Sequence, residues 1–241
     1  MSFSKSQLDR LGDQLRGDEI TAEDLRLLDE YRRSFSEGYE HVVRTIREQL
    51  GLEPTGRPAK STTSIRDKLR RESIRLSQIQ DIAGCRIVVP DVLTQTDAIG
   101  ALVGKLGEMK IFDRREKPSH GYRAVHLIAR CEGRPIEIQV RSAFQHMWAE
   151  FSEKAADSVD PALKYGGGPE PWKTYLLRTA NIVAEREQFL VRLHKFKSEA
   201  YSRSSVQPDE IEFVRELENE MAQANLDLQT LLKDLSAGVS G

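Results

Sequence analysis

Two strand-like runs in GYRAVHLIARCEGRPIEIQVRS, Gly121 to Ser142, carry an aromatic, a histidine, a carboxylate, an amide and a guanidinium at alternating positions. Strand side chains alternate with period two. Joined by a turn at Glu132-Gly133-Arg134, the first run sets Tyr122, Ala124 and His126 on one face. The second sets Glu137, Gln139 and Arg141 on one face and Ile136, Ile138 and Val140 on the other. Upstream, Lys60, Ser64 and Lys68 in AKSTTSIRDKLRR are spaced by four, which puts them on one side of a helix and its entry. Two ammonium groups there, with the exposed N–H groups of a helix start, could straddle a polyphosphate. In QDIAGCRIVV, Asp81 and Arg86 bracket Gly84 at the entry of a buried strand. A carboxylate so placed could hold a hard cation, because Mg²⁺ takes one or two protein carboxylates and completes its shell with water and substrate phosphate. An aromatic platform for a base, cations for phosphates and two acids for a metal are what phosphoryl or pyrophosphoryl transfer needs.

Each motif also has an ordinary structural reading. A basic run is commonly a solvated helix face, and Asp81 could cap a turn. A Glu-Gln-Arg face could be the wet side of an antiparallel sheet. Tyr122 could simply pack, and His126 simply hydrogen-bond. Their concentration in one hairpin favours a site. The sequence has no GxxxxGK[ST], no GxGxxG and no protein-kinase signature, so phosphate would be cradled by Lys and Arg side chains.

The elements that must position these groups are legible as patterns. Leu25, Leu28, Tyr31, Phe35, Tyr39, Val42, Val43, Ile46 and Leu50 give one helix from Thr21 to Leu50, capped by Thr21 with Asp24 and stopped at Gly51. GLEPTGRPAK reads as a loop, Ser61 to Arg71 as a short basic helix facing inward through Ile65 and Leu69, and Gly84 to Val89 as a buried strand. Val92 to Leu106 is an amphipathic helix and Lys110 to Asp113 a strand. After the hairpin comes the helix SAFQHMWAEFSEKAADS and a loop VDPALKYGGGPEP. Two long polar helices follow, Trp172 to Ser202 and Asp209 to Leu235, before an irregular end SAGVSG. Helices around a small sheet with an antiparallel hairpin make an α+β fold.

The chain of 241 residues has a formal net charge of −2, but the charge is unevenly spread. Seven basic residues stand against two acids between Arg57 and Arg75, whereas eight acids stand against three basic residues from Tyr201 onward. A basic block on a nearly neutral chain suits a local anionic ligand better than a general nucleic-acid coat. Cys85 and Cys131, far apart and in strand-like runs, read as buried free thiols. There is no apolar h-region and no stretch of membrane-span length, so the expected location is the cytoplasm.

KSTTSIRDKL, DIAGCRIVV, GYRAVHLI, EIQVRS and WAE, in this order from about Pro58 to Glu153, resemble the synthetase domain of the RelA/SpoT family of alarmone synthetases. The flanking helices resemble those of small family members. The resemblance implies N-terminal helices over 1–51, a synthetase core over 52–158 and a helical extension over 159–241 that forms one compact unit with the core. It implies a mixed sheet wrapped by helices and transfer of the β,γ-pyrophosphate of ATP to a ribose 3′-hydroxyl of GDP or GTP. Lys60, Ser64 and Lys68 would grip the ATP phosphates and Arg86 would stack on adenine. Asp81 and Glu137 would hold Mg²⁺, with Glu137 activating or orienting the 3′-hydroxyl. Tyr122 would carry the acceptor base, with His126, Lys117 and Arg123 near its phosphates and Gln139 and Arg141 lining the same cleft. Three positions depart from the pattern: Pro58 stands for an Arg, Lys117 in RREKPSH is one residue out of register, and His146 replaces an acceptor-reading Asn. Other members pyrophosphorylate the 3′-CCA end of tRNA as toxins held by an antitoxin, or make adenosine alarmones. Arg114, Arg115 and Lys117 would suit a tRNA backbone or a GTP triphosphate equally. The C-terminal helices would serve homo-oligomerisation or an antitoxin.

Overall fold

Helix starts follow local capping chemistry. The computed structural model describes residues 3–202 and 208–238. Ser4 with Gln7 and Thr21 with Asp24 form reciprocal capping boxes at the starts of α1 (Lys5–Arg16) and α2 (Ala22–Arg33). The single helix expected over Thr21–Leu50 is two, α2 and α3 (Ser36–Leu50). The Ser34 hydroxyl donates to the Tyr31 carbonyl at 2.6 Å, competing with the helical ladder. At that break Tyr31 and Phe35 meet edge to face at 5.1 Å, and Phe35 is fully buried. Gly51, at φ 62°, ends α3 as expected.

The expected loop before the basic helix contains a short strand, β1 (Thr55–Arg57), paired antiparallel with β2 (Ala83–Val89). Gly56 makes it work, because a side chain there would overlap the Tyr39 hydroxyl. The basic helix is α4 (Thr62–Glu72), capped by Ser61, with Ile65 and Leu69 fully buried. After a 3₁₀ turn at Leu76–Gln78 come β2, α5 (Val92–Leu106), β3 (Met109–Asp113), β4 (Val125–Cys131) and β5 (Arg134–Ser142). The strands form one mixed sheet in the order β1-β2-β5-β4-β3, which bears out the α+β class. Beyond it lie α6 (Ala143–Ser158), a 3₁₀ turn at Pro161–Tyr165 inside the expected loop, α7 (Glu170–Tyr201) and α8 (Pro208–Gly238). Residues 236–238 of the expected irregular end belong to α8, and 239–241 lie outside the described residues. Among the described residues no helix is long and apolar enough to cross a membrane.

The β4–β5 hairpin turns through Glu132 and Gly133 alone, both left-handed at φ 49° and 71°. That two-residue geometry matches the right-handed twist of the strands and fixes the register, Val125 opposite Val140 and His126 opposite Gln139. Val125, Leu127, Ala129, Ile136, Ile138 and Val140 are fully buried on one face. Each large side chain among them contributes about 1.5–3 kcal/mol of burial, so slipping the register by one residue is strongly disfavoured.

Two compact units partition the described residues. The first comprises Met1–Ile87, Asp97–Phe112 and Val125–Val140; the second comprises Val88–Thr96, Asp113–Ala124 and Arg141–Gly241. In the first, most of the basic block has a structural task. Arg66 donates to the carbonyls of Leu15 and Gly17, and Arg70 to those of Arg16 and Gly17. These satisfy the open C-terminal carbonyls of α1, where cations are also favoured by the helix dipole. Arg16 returns the bond to the Leu69 carbonyl at 3.1 Å. In the second unit, Trp148, Phe151, Leu163, Leu176, Val183, Leu228 and Leu232 form the core. Trp148 donates its indole N–H to the Leu176 carbonyl at 3.1 Å.

In the first unit α3 lies against β4 at Gly38, where an added Cβ would sit 2.8 Å from the Cys131 carbonyl oxygen. Gly38→Ala should therefore destabilise the protein by about 1–3 kcal/mol through overpacking. Gly104→Ala, where an added Cβ meets nothing within 4 Å on α5, should be neutral or slightly stabilising. Urea unfolding of the two variants checks the contrast.

Candidate active site

Lys60 stands just before the Ser61 cap of α4, and its N–H donates to the Ile82 carbonyl at 2.7 Å. This ties the entry of α4 to the entry of β2. The Lys60 ammonium then reaches Asp81 Oδ2 at 2.5 Å, and Lys68, two turns along α4, reaches Asp81 Oδ1 at 3.1 Å. One carboxylate thus receives a cation on each oxygen. Burial pushes the Asp81 carboxyl up, but the hydrogen bond and charge of Lys60, then those of Lys68, outweigh it and hold the group below the usual carboxylate range. A lowered folded value means that the pairing stabilises fully above the ordinary carboxylate range and is lost as pH falls through the lowered value. Ser64, expected beside the two lysines, instead accepts the Ser61 hydroxyl at 2.8 Å within the helix cap.

On the solvent-side face of the hairpin, His126 Nδ1 lies 2.8 Å from Glu137 Oε1, and Gln139 Nε2 donates to Glu137 Oε2 at 3.0 Å. All three side chains are half-buried. Burial pushes the Glu137 carboxyl up, and so does the nearby charge of Asp81. The His126 hydrogen bond and charge and the Gln139 bond prevail, holding it below its usual range. Gly84 sets this arrangement, because a Cβ there would be 2.7 Å from the Glu137 carbonyl oxygen. The glycine of DIAGCR lets β2 lie directly against Glu137. The neighbouring Cys85 thiol, buried and facing the Glu137 charge, is pushed up to about 12 and is inert as a nucleophile. Arg86 follows on β2, half-buried and in register with Thr55 of β1.

Tyr122 is not on a strand. Its N–H donates to the Ser119 carbonyl at 2.9 Å and its carbonyl accepts from the Ser119 N–H at 3.3 Å, closing a turn through His120 and Gly121 at φ 53° and 89°. A Cβ at Gly121 would be 2.9 Å from both Trp148 and Ala180, so the turn sits hard on the second core. The strand expected from Gly121 starts only at Val125, and Ala124 is buried instead of spacing Tyr122 from His126. The buried Arg141 donates to the Tyr122 hydroxyl at 3.0 Å, and its guanidinium carbon lies 5.1 Å from the ring centre. Tyr122 lines a cavity of about 290 Å³ with Trp148, Ser152, Lys164 and Tyr165. The adjacent Arg123 turns elsewhere, into a cavity of about 340 Å³ with Arg115, Glu187 and Arg192.

The expected site residues therefore divide. Lys60, Ser64, Lys68, Asp81, Arg86, His126, Glu137 and Gln139 belong to the first unit, and Lys117, Tyr122, Arg123, Arg141 and His146 to the second. Lys117 is exposed and forms no hydrogen bond or ion pair among the described residues. His146, on α6, reaches Glu150 at 3.4 Å. Arg115 is gripped by both oxygens of Asp113, at 2.6 Å for the shortest contact, and so is held locally. Arg32 and Arg33, outside the expected site residues, line a pocket of about 480 Å³ in the first unit beside Lys60 and Ser61. Their signal was two adjacent cations ahead of a serine break, hidden by reading α2 and α3 as one helix. His126→Ala should raise the Glu137 carboxyl by removing its largest stabilising contact. Carbon-detected titration of Glu137 should show the acid-side midpoint move to higher pH, and a midpoint that stays put would contradict this assignment.

Residues 56–157 match the family model described as "Region found in RelA / SpoT proteins". "Uncharacterized protein Rv1366" of Mycobacterium tuberculosis is 39% identical over 116 residues, 46% of this chain and 42% of that protein. The rice protein "Probable GTP diphosphokinase RSH2, chloroplastic" is 35% identical over 100 residues, 38% of this chain and 13% of its own. The chain thus spans less than half the length of these relatives. The crystal structure of small alarmone synthetase 1 from Bacillus subtilis superposes with a TM-score of 0.52 at 25% identity, over 75% of this chain and all of that one. The fold is that of the small alarmone synthetases. The segment 56–157 is a RelA/SpoT-family region, the resemblance expected from the five motifs.

Proposed function

We propose that the protein transfers the β,γ-pyrophosphate of ATP, in the presence of Mg²⁺, to the ribose 3′-hydroxyl of GDP or GTP, forming (p)ppGpp-type alarmones. The observation that carries this reading is a pair of ionised carboxylates within electrostatic reach of one another, Asp81 flanked by two lysines and Glu137 by His126 and Gln139. The name of the rice relative, a probable GTP diphosphokinase, and the likeness to the Bacillus subtilis small alarmone synthetase support the same reading. Among the described residues no group of three His, Cys, Asp or Glu is placed to hold a metal ion. Two carboxylates with hard oxygen donors still fit Mg²⁺, which fills its remaining positions with water and substrate phosphate. Asp81 and Glu137 would hold it, with Asp81 releasing one lysine contact. Bound there, Mg²⁺ would neutralise phosphate charge and lower the cost of deprotonating a hydroxyl.

Lys60 and Lys68 would bind the transferred phosphates, matching charge that builds on the non-bridging oxygens. Glu137, kept ionised by His126, would orient the 3′-hydroxyl and take up its proton. Gln139 would hold the carboxylate in one rotamer. Arg86 would present its guanidinium to the donor base, and within the second unit Tyr122, braced by Arg141, offers a ring of the kind that stacks on a base.

The test is transfer from ATP labelled at the γ-phosphate, with GDP, GTP, AMP, ATP and deacylated tRNA offered separately. Label should appear on GDP or GTP, and Glu137→Gln should lower the rate at least about a hundredfold. Label on tRNA alone would replace the acceptor in this reading, and no transfer to any acceptor would end it.

A further inference from the structure

Three arginines of the second unit line one cavity of about 340 Å³, and among the described residues Glu187 is the one acid that lines it with them. They arrive from separate elements. Arg115 follows β3, Arg123 comes just after the Ser119–Tyr122 turn, and Arg192 stands on α7 with Glu187. Like charges gathered this way repel unless something neutralises them. The protein's own acids do so only in part. Arg115 is matched by Asp113, which accepts from it through both oxygens. Arg123 forms no ion pair among the described residues. Its Nη1 donates to the Arg115 carbonyl at 2.7 Å, and its Nε is buried without a hydrogen-bond partner. Arg192 is exposed and makes no hydrogen bond or ion pair among the described residues. Glu187 is a poor counterion for either. Its Oε1 accepts from Ser142 and Gln145 and its Oε2 from Gln145 at 3.0 Å, and burial pushes its carboxyl up. A buried donor without an acceptor is costly, and a guanidinium is the donor best matched to phosphate oxygens.

The rest of the cavity is not charged. Val92, Ala184 and Val191 give it an apolar wall, and Gln188 adds an amide that makes no hydrogen bond among the described residues. An apolar wall beside a few convergent polar groups is the usual make-up of a small-molecule site. A nucleic-acid backbone would call for a longer track of cations, which Glu187 and the apolar residues interrupt. We propose that this cavity is an anion site of its own, which takes a small phosphate monoester with its phosphate between Arg123 and Arg192 and its uncharged body against Val92, Ala184 and Val191. The site is separate from the cavity that Tyr122 lines, since the two share no residue. Arg123 is thus turned away from the ring of its neighbour Tyr122. The inference does not depend on the transfer reading, because it uses no side chain to which that reading gives a task.

The experiment follows the arginine Nε–H signals of the full-length, nitrogen-labelled protein by NMR. Phenyl phosphate, inorganic phosphate and sodium chloride are titrated separately at matched ionic strength. Arg123→Lys and Arg192→Ala assign the two signals by their loss. Phenyl phosphate should shift both signals saturably, and inorganic phosphate should do so more weakly for want of contact with the apolar wall. Arg192→Ala should weaken phenyl phosphate by about tenfold at the Arg123 signal, as expected for one charge-assisted phosphate contact, and Arg192→Lys should recover part of the loss. Without ligand, thermal melts should show Arg192→Ala at least as stable as the wild type, since Arg192 is exposed. With phenyl phosphate the wild type should gain more in melting temperature than the variant. Shifts that do not saturate, or that chloride reproduces, would be screening and would overturn the site. Equal affinity in the wild type and Arg192→Ala would overturn the assignment of Arg192, and equal affinity for the two phosphates that of the ester body. Lys68→Ala should leave the Arg123 shift unchanged; its loss there would assign the anion to the lysines and sink the proposal.

Discussion

Two carboxylates that repel each other must stay ionised while partly buried, and much of the first unit is arranged to allow it. The charge of Asp81 alone works against that of Glu137, and burial works against both. Left unpaired, one of the two would take up a proton, because a desolvated charge beside a like charge is the costlier state. The structure solves this with separate means. Asp81 is bound by point charges on flexible stems from one helix and its entry, whereas Glu137 is bound by a ring and an amide on the strands around it. Lysine contacts can be exchanged for phosphate with little strain. The contacts within the hairpin fix geometry. One carboxylate is therefore held by flexible point charges and the other by contacts that fix its geometry.

The second unit solves a different buried-charge problem. Glu187 on α7 is pushed up by burial, although Ser142 and Gln145 donate to it and Arg123 and Arg115 lie near. Ser142 is also the N-cap of α6, in a capping box with Gln145. The same two side chains thus start α6 and bind the carboxyl of α7, and Gln95 at the beginning of α5 joins them through Gln145 at 2.8 Å. A closed polar network of this kind fixes the first turn of α5 against α6 and α7 more sharply than apolar contact would.

Much of this was legible in the sequence, because period, cap and turn signals are local. The buried strand β2, the buried face of β5, the limits of α5, the cap at Thr21 and the stop at Gly51 all follow from neighbours in the chain. What was hidden depends on distant groups. Ser34 breaks a helix that periodicity would continue, and β1 exists in a Gly/Pro-rich stretch because Tyr39 and Cys85 leave room only for Gly56. Tyr122 alternates correctly with His126 by count, yet His120 and Gly121 turn the chain before the strand begins. The basic block shows the limit most clearly. Lys60, Lys68, Arg66 and Arg70 look alike in sequence, but two serve a carboxylate and two serve the end of α1. Composition cannot separate those duties.

The two-residue turn at Glu132 and Gly133 bears on how the molecule comes to be folded. Closing a short loop loses the least chain entropy, so the β4–β5 hairpin can pair on the microsecond scale while more distant contacts are still forming. His126 and Glu137 are diagonal neighbours across that hairpin, 11 residues apart in the chain. Their contact needs only local order. Asp81 must instead wait for Lys60, 21 residues away, and for α4 to dock on its own helix neighbours. The rigid half of the candidate centre thus needs only local pairing, whereas the exchangeable half depends on how α4 docks on its helix neighbours.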